Sequence, residues 1–154
     1  MTQPLLDIRD LQLGVALGRS VSHPLLKGVS FQIMPGEAYG LVGESGSGKS
    51  VTSLAVMGLL KKPLAVSGGE ILFKGQNLLA LSKREMRRLR GNRIAMIFQE
   101  PMTALNPLST VGRQIAEMFV LHQGKSWGEA ERLAVEALGN VRVPNPDRRA
   151  KNYP

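Results

Sequence analysis

The sequence predicts an α/β fold with an antiparallel β part near the N-terminus and a mainly helical C-terminal part. Three observations support this prediction. The apolar segment 38–42 leads into the glycine-rich loop 43–50, and apolar residues follow the loop at helical spacing. Residues 29–33 alternate apolar and polar side chains, as half-buried strands do. From about residue 105 the apolar pattern becomes helical.

The elements before the loop are predicted from alternation and turn residues. Residues 5–13 indicate a first strand, residues 14–24 indicate a turn region, and residues 29–33 indicate a second strand. Pro35-Gly36 is a turn signal. Residues 38–42 then predict a buried strand that delivers the chain into the loop.

The elements after the loop follow in the same way. The helix is predicted to stop at Lys61-Lys62-Pro63, and 70–73 predicts a strand closed by a turn at Lys74-Gly75. The spacing from Ser82 to Glu85 matches a capping box, which predicts the start of a short helix. The apolar run 94–98 predicts another strand.

The C-terminal part has a second capping-box pattern, from Ser126 to Glu129, followed by apolar residues at helical spacing. Gly139 is a candidate helix end. We therefore predict two parts: an α/β core over 1–104, which contains the glycine-rich loop, and a helical part over 105–154.

Composition limits the function classes. The chain has 154 residues, with 20 Lys plus Arg against 12 Asp plus Glu, and the formal charge of +8 favours an anionic partner. It has no cysteine, which excludes disulfides and thiolate catalysis within it. No apolar run approaches the length of a membrane span, and the first residues lack a signal-peptide layout. These features indicate a cytosolic protein.

The glycine-rich loop matches the phosphate-binding pattern G-x-x-x-x-G-K-[ST] without a gap. Its glycines allow backbone N–H groups to point at phosphate oxygens, and the following helix adds its positive N-terminal dipole. Lys49 can reach the β- and γ-phosphates, and the Ser50 hydroxyl can ligate Mg²⁺. The predicted binding residues are Gly43, Glu44, Ser45, Gly46, Ser47, Gly48, Lys49, Ser50 and Val51.

The segment 94–98 ends in Gln99-Glu100, where many phosphate-loop enzymes carry an aspartate that holds Mg²⁺. A glutamine cannot act as a strong base, but its carbonyl oxygen can ligate a metal and its amide can orient a water. This pattern argues against an ordinary kinase or GTPase whose chemistry is complete within these residues.

Two alternatives remain open at this point. A small phosphate-loop kinase would need Glu100 as its acidic metal partner and an arginine from 84–93 as a phosphate clamp. A nucleic-acid-binding module would use the basic segment, which we define as Lys83, Arg84, Arg87, Arg88, Arg90 and Arg93. Aromatic residues make up 5% of the chain, and a solvated helix face explains the basic segment better than a dedicated binding patch.

Two long blocks of this chain resemble the ATPases of ATP-binding cassette (ABC) transporters. The block 43–52 resembles their Walker A region, and 91–107 resembles their Q-loop, in both cases that of the oligopeptide, dipeptide and nickel importer branch. Residues 29–37 and 69–75 are similar to the same family, so the resemblance covers nearly the whole chain in family order.

The resemblance implies a role for each matched segment. Residues 43–51 would wrap the ATP phosphates, and Gln99 would touch the metal or the attacking water and sense the membrane subunits. The cofactors would be ATP and Mg²⁺. The partners would be transmembrane permease subunits and a second ATP-binding subunit, with no nucleic acid, at the cytoplasmic face of the membrane. The helical part would begin the subdomain that docks onto the permease.

Two departures from the family pattern qualify these expectations. Residues 1–30 contain no Phe, Tyr or Trp that could stack on adenine. The family's signature, Walker B strand and catalytic glutamate follow the helical segment, and the chain ends about where the signature would begin. We therefore expect an N-terminal portion of such a subunit that binds Mg-ATP weakly and does not hydrolyse it appreciably by itself.

Overall fold

The computed structural model describes residues 3–17, 20–99 and 104–154. The chain divides into two compact units, Met1–Arg90 and Gly91–Pro154, which are described separately below. In the described ranges, no helix combines the length and the apolar character needed to cross a membrane.

The first unit is built on four strands: Leu6–Leu17 (β1), Ser20–Ile33 (β2), Leu64–Phe73 (β3) and Gln76–Asn77 (β4). They form an antiparallel sheet in the order β2–β1–β3–β4, so β1 pairs on both sides. The core of this unit is centred on the sheet, where the fully buried large side chains are Ile8, Leu11, Leu13 and Ile71.

The prediction of a turn region over 14–24 is wrong for most of its length. β1 continues to Leu17 and β2 begins at Ser20. The pairing of β1 with β2 contains register shifts, including one between Leu13 and Gly14, and these bulges disrupt the alternation on which the sequence prediction relied. Pro24 has no backbone N–H to donate. It is tolerated because β2 lies at the edge of the sheet, where one side of the strand needs no hydrogen bonds to a neighbouring strand.

The helix after the glycine-rich loop, α1, runs over Lys49–Val56 and ends earlier than predicted. Gly58 adopts a left-handed conformation with φ +59°, and its N–H donates to the Ala55 carbonyl. The Leu59 N–H donates to the Leu54 carbonyl, which completes a Schellman motif. Glycine therefore ends this helix before the chain reaches Lys61-Lys62-Pro63.

Neither 38–42 nor 94–98 forms the predicted strand. Val42 and Ile97 are each 94% exposed. A strand requires hydrogen-bond partners on a neighbouring strand, and among the described residues no strand pairs with 38–42, while 94–98 has only an isolated bridge at Ile94. An apolar sequence alone does not supply that partner.

The turn at Lys74-Gly75 and the capping box at Ser82 are confirmed. Lys74 and Gly75 both have positive φ and join β3 to β4, and a short 3₁₀ helix, Leu78–Ala80, follows. The helix α2 then runs over Lys83–Leu89, with reciprocal hydrogen bonds between Ser82 and Glu85 at its start.

The described residues of the second unit form three α-helices: Val111–Gln123 (α3), Trp127–Asn140 (α4) and Pro146–Ala150 (α5). Its core consists of the small side chains Ala116, Ala130 and Ala134, which let α3 and α4 approach closely, with larger apolar side chains around them. Ser126 caps α4 as predicted: its hydroxyl oxygen accepts a hydrogen bond from the Glu129 N–H, which is one of the two hydrogen bonds of a capping box. The Glu129 carboxylate forms an ion pair with Lys125 at 2.7 Å.

Candidate functional site

The glycine-rich loop is curled back on itself, as phosphate binding requires. Gly46 and Gly48 have φ angles of +83° and +94°, a conformation that residues with a Cβ rarely adopt. The Ser47 N–H donates to the Glu44 carbonyl at 3.2 Å, which closes a turn inside the loop. A Cβ on Gly48 would overlap the Cδ2 atom of Leu26, so the loop lies directly against the buried face of β2.

The side chain of Lys49 folds over the loop. Its ammonium donates to the carbonyl oxygens of Gly43 at 2.7 Å and Glu44 at 2.6 Å. It also reaches the Ser47 hydroxyl at 3.2 Å. The positive charge is therefore held at the concave side of the turn, next to the start of α1.

The N-terminal end of α1 adds backbone donors to this charge. In this described segment the first turn contains no acidic residue, and no side chain caps the helix. Ser50 is exposed there, whereas Thr52 is buried, and both the N–H and the hydroxyl of Thr52 donate to the Gly48 carbonyl. Thr52 thus ties the loop to the helix, a role that sequence analysis missed because a threonine inside a helix carries no specific signal.

The donor set fits a phosphate chain with a bound magnesium ion. The loop brings together one ammonium, the uncapped N–H groups of a helix and an exposed hydroxyl at Ser50, with no carboxylate in the first turn to repel an anion. Gly46 contributes open space, since a Cβ at this position would meet no atom within 4 Å.

Gln99, the other predicted site residue, belongs to the second unit and is exposed. Glu100, on which the kinase alternative depends, lies outside the described residues. Across the ranges that the structure describes, no group of three or more His, Asp or Glu side chains could hold a metal ion. The described geometry therefore supports the phosphate loop, and the assignment of Gln99 stays a prediction.

Aromatic stacking occurs elsewhere in the first unit. The rings of Phe31 and Tyr39 stack with their centroids 5.0 Å apart and their planes 9° apart. This pair fastens the segment that precedes the loop to the end of β2. Sequence analysis missed this pair, because the apolar pattern over 38–42 indicates a strand and does not relate Tyr39 to Phe31.

Comparison with known proteins agrees with this geometry. Residues 26–154 match the family model described as ABC transporter. A probable peptide ABC transporter ATP-binding protein of Sinorhizobium fredii is 54% identical over 151 residues, which cover 97% of this chain and 45% of that relative. The oligopeptide transport ATP-binding protein OppD of Bacillus subtilis is 45% identical, over 97% of this chain and 42% of its own length.

The fold agrees as well. The dimeric structure of MJ0796, a bacterial ABC transporter cassette, matches 96% of this chain and 61% of the cassette, with a TM-score of 0.76 and 23% identity. The present chain thus spans less than half the length of the two sequence relatives named above. With the family model matching residues 26–154, the chain belongs to the ABC transporter family.

Proposed function

We propose that this chain is the ATP-binding part of an ABC importer subunit that serves peptide uptake or the uptake of a related small solute. The observation that carries the proposal is the Lys49 ammonium held on the concave side of the curled loop 43–50. The relatives named as peptide and oligopeptide transport ATP-binding proteins support the class of solute. Family membership also favours this function over the kinase and nucleic-acid alternatives.

In this proposal, residues 43–51 hold the ATP phosphates through backbone N–H groups, and Lys49 contacts the β- and γ-phosphates. Ser50 would hold Mg²⁺, which supplies charge neutralisation at the phosphate oxygens when bound. Gln99 would orient the attacking water or ligate the metal through its carbonyl oxygen.

The partners in this proposal are transmembrane permease subunits and a second ATP-binding subunit, and the protein acts as a peripheral subunit at the cytoplasmic face of the membrane. The relatives' names and the dimeric cassette structure support this arrangement. Coupling of ATP binding and hydrolysis to transport would be a property of that complete assembly.

The test is equilibrium binding of fluorescent Mg-ATP to the full-length protein and to Lys49→Ala. Removing the ammonium should weaken binding by at least about tenfold, because a hydrogen-bonded charge pair with phosphate is lost. Lys27→Ala is the matched control, since Lys27 is an exposed lysine on β2 and should leave affinity unchanged. Equal affinities for the unsubstituted protein and Lys49→Ala would show that the loop is not the nucleotide site.

A further inference from the structure

Arg90 differs from the rest of the basic segment. Arg87 and Arg88 lie on α2 and are exposed, as a solvated helix face requires. Arg90 follows α2 directly, is half-buried, and turns its guanidinium toward the end of α1. Arg90 and these two arginines therefore share a sequence segment but not an environment.

The guanidinium of Arg90 binds the C-terminal end of the phosphate-loop helix. Its Nε donates to the Met57 carbonyl at 2.7 Å, and its Nη2 donates to the Gly58 carbonyl at 2.8 Å. These carbonyls come directly after the last residue of α1, where the helix dipole places partial negative charge. Within this described helix, the last turn contains no basic residue of its own. The compensating charge comes from a residue more than 30 positions away.

The side chains around Met57 and Gly58 pack closely against the Arg90 guanidinium. Met86 is 4% exposed, and a Cβ on Gly58 would lie 3.0 Å from Arg90 Nη2 and 3.4 Å from Met86 Cγ. Beside them is a cavity of about 200 Å³, bordered by Ala55, Leu78, Met86 and Arg90 among others. The guanidinium is a rigid planar fork, so its two hydrogen bonds restrain the position of the helix end more tightly than the flexible side chain of Met86 does.

We propose that Arg90 is a positioning residue: it fixes the C-terminal end of α1 and thereby holds Lys49, at the other end of the same helix, in place for phosphate. A helix of eight residues moves as one short rod, so a shift at Met57 is transmitted to the loop. The inference rests on the proposed nucleotide function of the loop.

The first arm of the test does not depend on nucleotide. Amide hydrogen exchange is measured in the full-length protein for Arg90→Met, Arg90→Lys and the control Arg87→Met, with no ligand present. We expect α1 amides in Arg90→Met to exchange about three- to tenfold faster, with Arg90→Lys intermediate, because charge-assisted hydrogen bonds at a half-exposed site are lost or weakened. Amides of β1 and β3 should be unchanged, and Arg87→Met should match the unsubstituted protein.

The second arm compares nucleotides that differ in phosphate number. Arg90→Met should weaken Mg-ATP binding about three- to tenfold and AMP binding less, since only ATP carries the phosphates that Lys49 contacts. General destabilisation would instead weaken both nucleotides by the same factor.

Unchanged α1 exchange in Arg90→Met, or equal losses for ATP and AMP, would overturn the inference. Absence of Mg-ATP binding by the unsubstituted protein would instead overturn the proposed function, and the exchange data would still decide whether Arg90 restrains the helix.

Discussion

Two glycines in the phosphate loop face different constraints. Gly46 and Gly48 both have positive φ, but a Cβ on Gly46 would meet open space, whereas one on Gly48 would overlap Leu26. Leu26 is 3% exposed and belongs to the core of β2, so it cannot move away cheaply. The first glycine serves the turn alone, and the second serves both the turn and the packing of the loop on the sheet.

We therefore predict different costs for the two alanine substitutions. Gly46→Ala should lower the free energy of unfolding by about 1–2 kcal/mol, which is the backbone strain alone. Gly48→Ala should lower it by about 2–4 kcal/mol, because overpacking against Leu26 adds to the strain. Urea denaturation followed by circular dichroism measures both values, and equal losses would show that Leu26 does not restrict the loop.

At the level of elements, the start of α2 is sensitive to pH. The Ser82 hydroxyl donates to the Glu85 carboxylate at 2.6 Å, and the Ser82 N–H donates to the same carboxylate at 2.8 Å. These hydrogen bonds, with a smaller effect of Arg88, hold the pKa of Glu85 below its ordinary value of 4.5. Because the folded pKa is the lower one, this stabilisation is fully present above the unfolded pKa and is lost as pH falls through the folded pKa.

We predict that the first turn of α2 frays as the pH falls below 4.5, the ordinary pKa of Glu85, and through its lower folded pKa. The amide chemical shifts of Ser82 and Glu85, followed from pH 7 to pH 3, measure the change. Glu85→Gln should remove the pH dependence at these two amides. A titration that persists in Glu85→Gln would assign the effect to another group.

Elements that depend on neighbouring residues could be predicted from the sequence, whereas elements that depend on distant partners could not. The cap at Ser82 and the turn at Lys74-Gly75 are complete within a few residues, and both were predicted correctly. The strands predicted over 38–42 and 94–98 do not form, because a strand depends on a partner strand that the local sequence pattern cannot identify. The contact from Arg90 to α1 was missed for the same reason: it joins residues that no local pattern relates.

At the scale of the whole molecule, several large apolar side chains of the described residues are exposed. Among the residues that the structure describes, the most exposed large apolar side chains are Val42 and Ile97 at 94% and Leu108 at 87%. The first two come from segments whose sequence resembles buried strands. Such surface is typical of regions that contact other protein, and it favours association when left open.

We predict that the 154-residue chain by itself increases the fluorescence of an apolar dye such as anilinonaphthalene sulfonate under native conditions. The double substitution Val42→Ser and Ile97→Ser should reduce the signal, because it removes two of the most exposed apolar side chains. Gln32→Ser, at an exposed polar position on β2, is the control and should have no effect. A dye signal equal to that of a well-packed globular domain would contradict this prediction.

The family could be predicted because the phosphate-loop and Q-loop patterns are contiguous, and the comparisons confirm it. The division into a core over 1–104 and a helical part, and the catalytic role of Gln99, stay predictions. Neither follows from a contiguous sequence pattern, because each depends on contacts between residues that are distant in the sequence.

The three acceptors around Lys49 have a thermodynamic consequence for ligand entry. The ammonium donates to Gly43, Glu44 and Ser47, so in the proposed function a phosphate competes with the loop for these protons. Binding is then an exchange of hydrogen bonds, and its net enthalpy is smaller than a count of the final contacts implies. The proposed site would favour a polyphosphate over a neutral ligand, because hydrogen bonds between the ammonium and a charged acceptor are stronger than those to a neutral one.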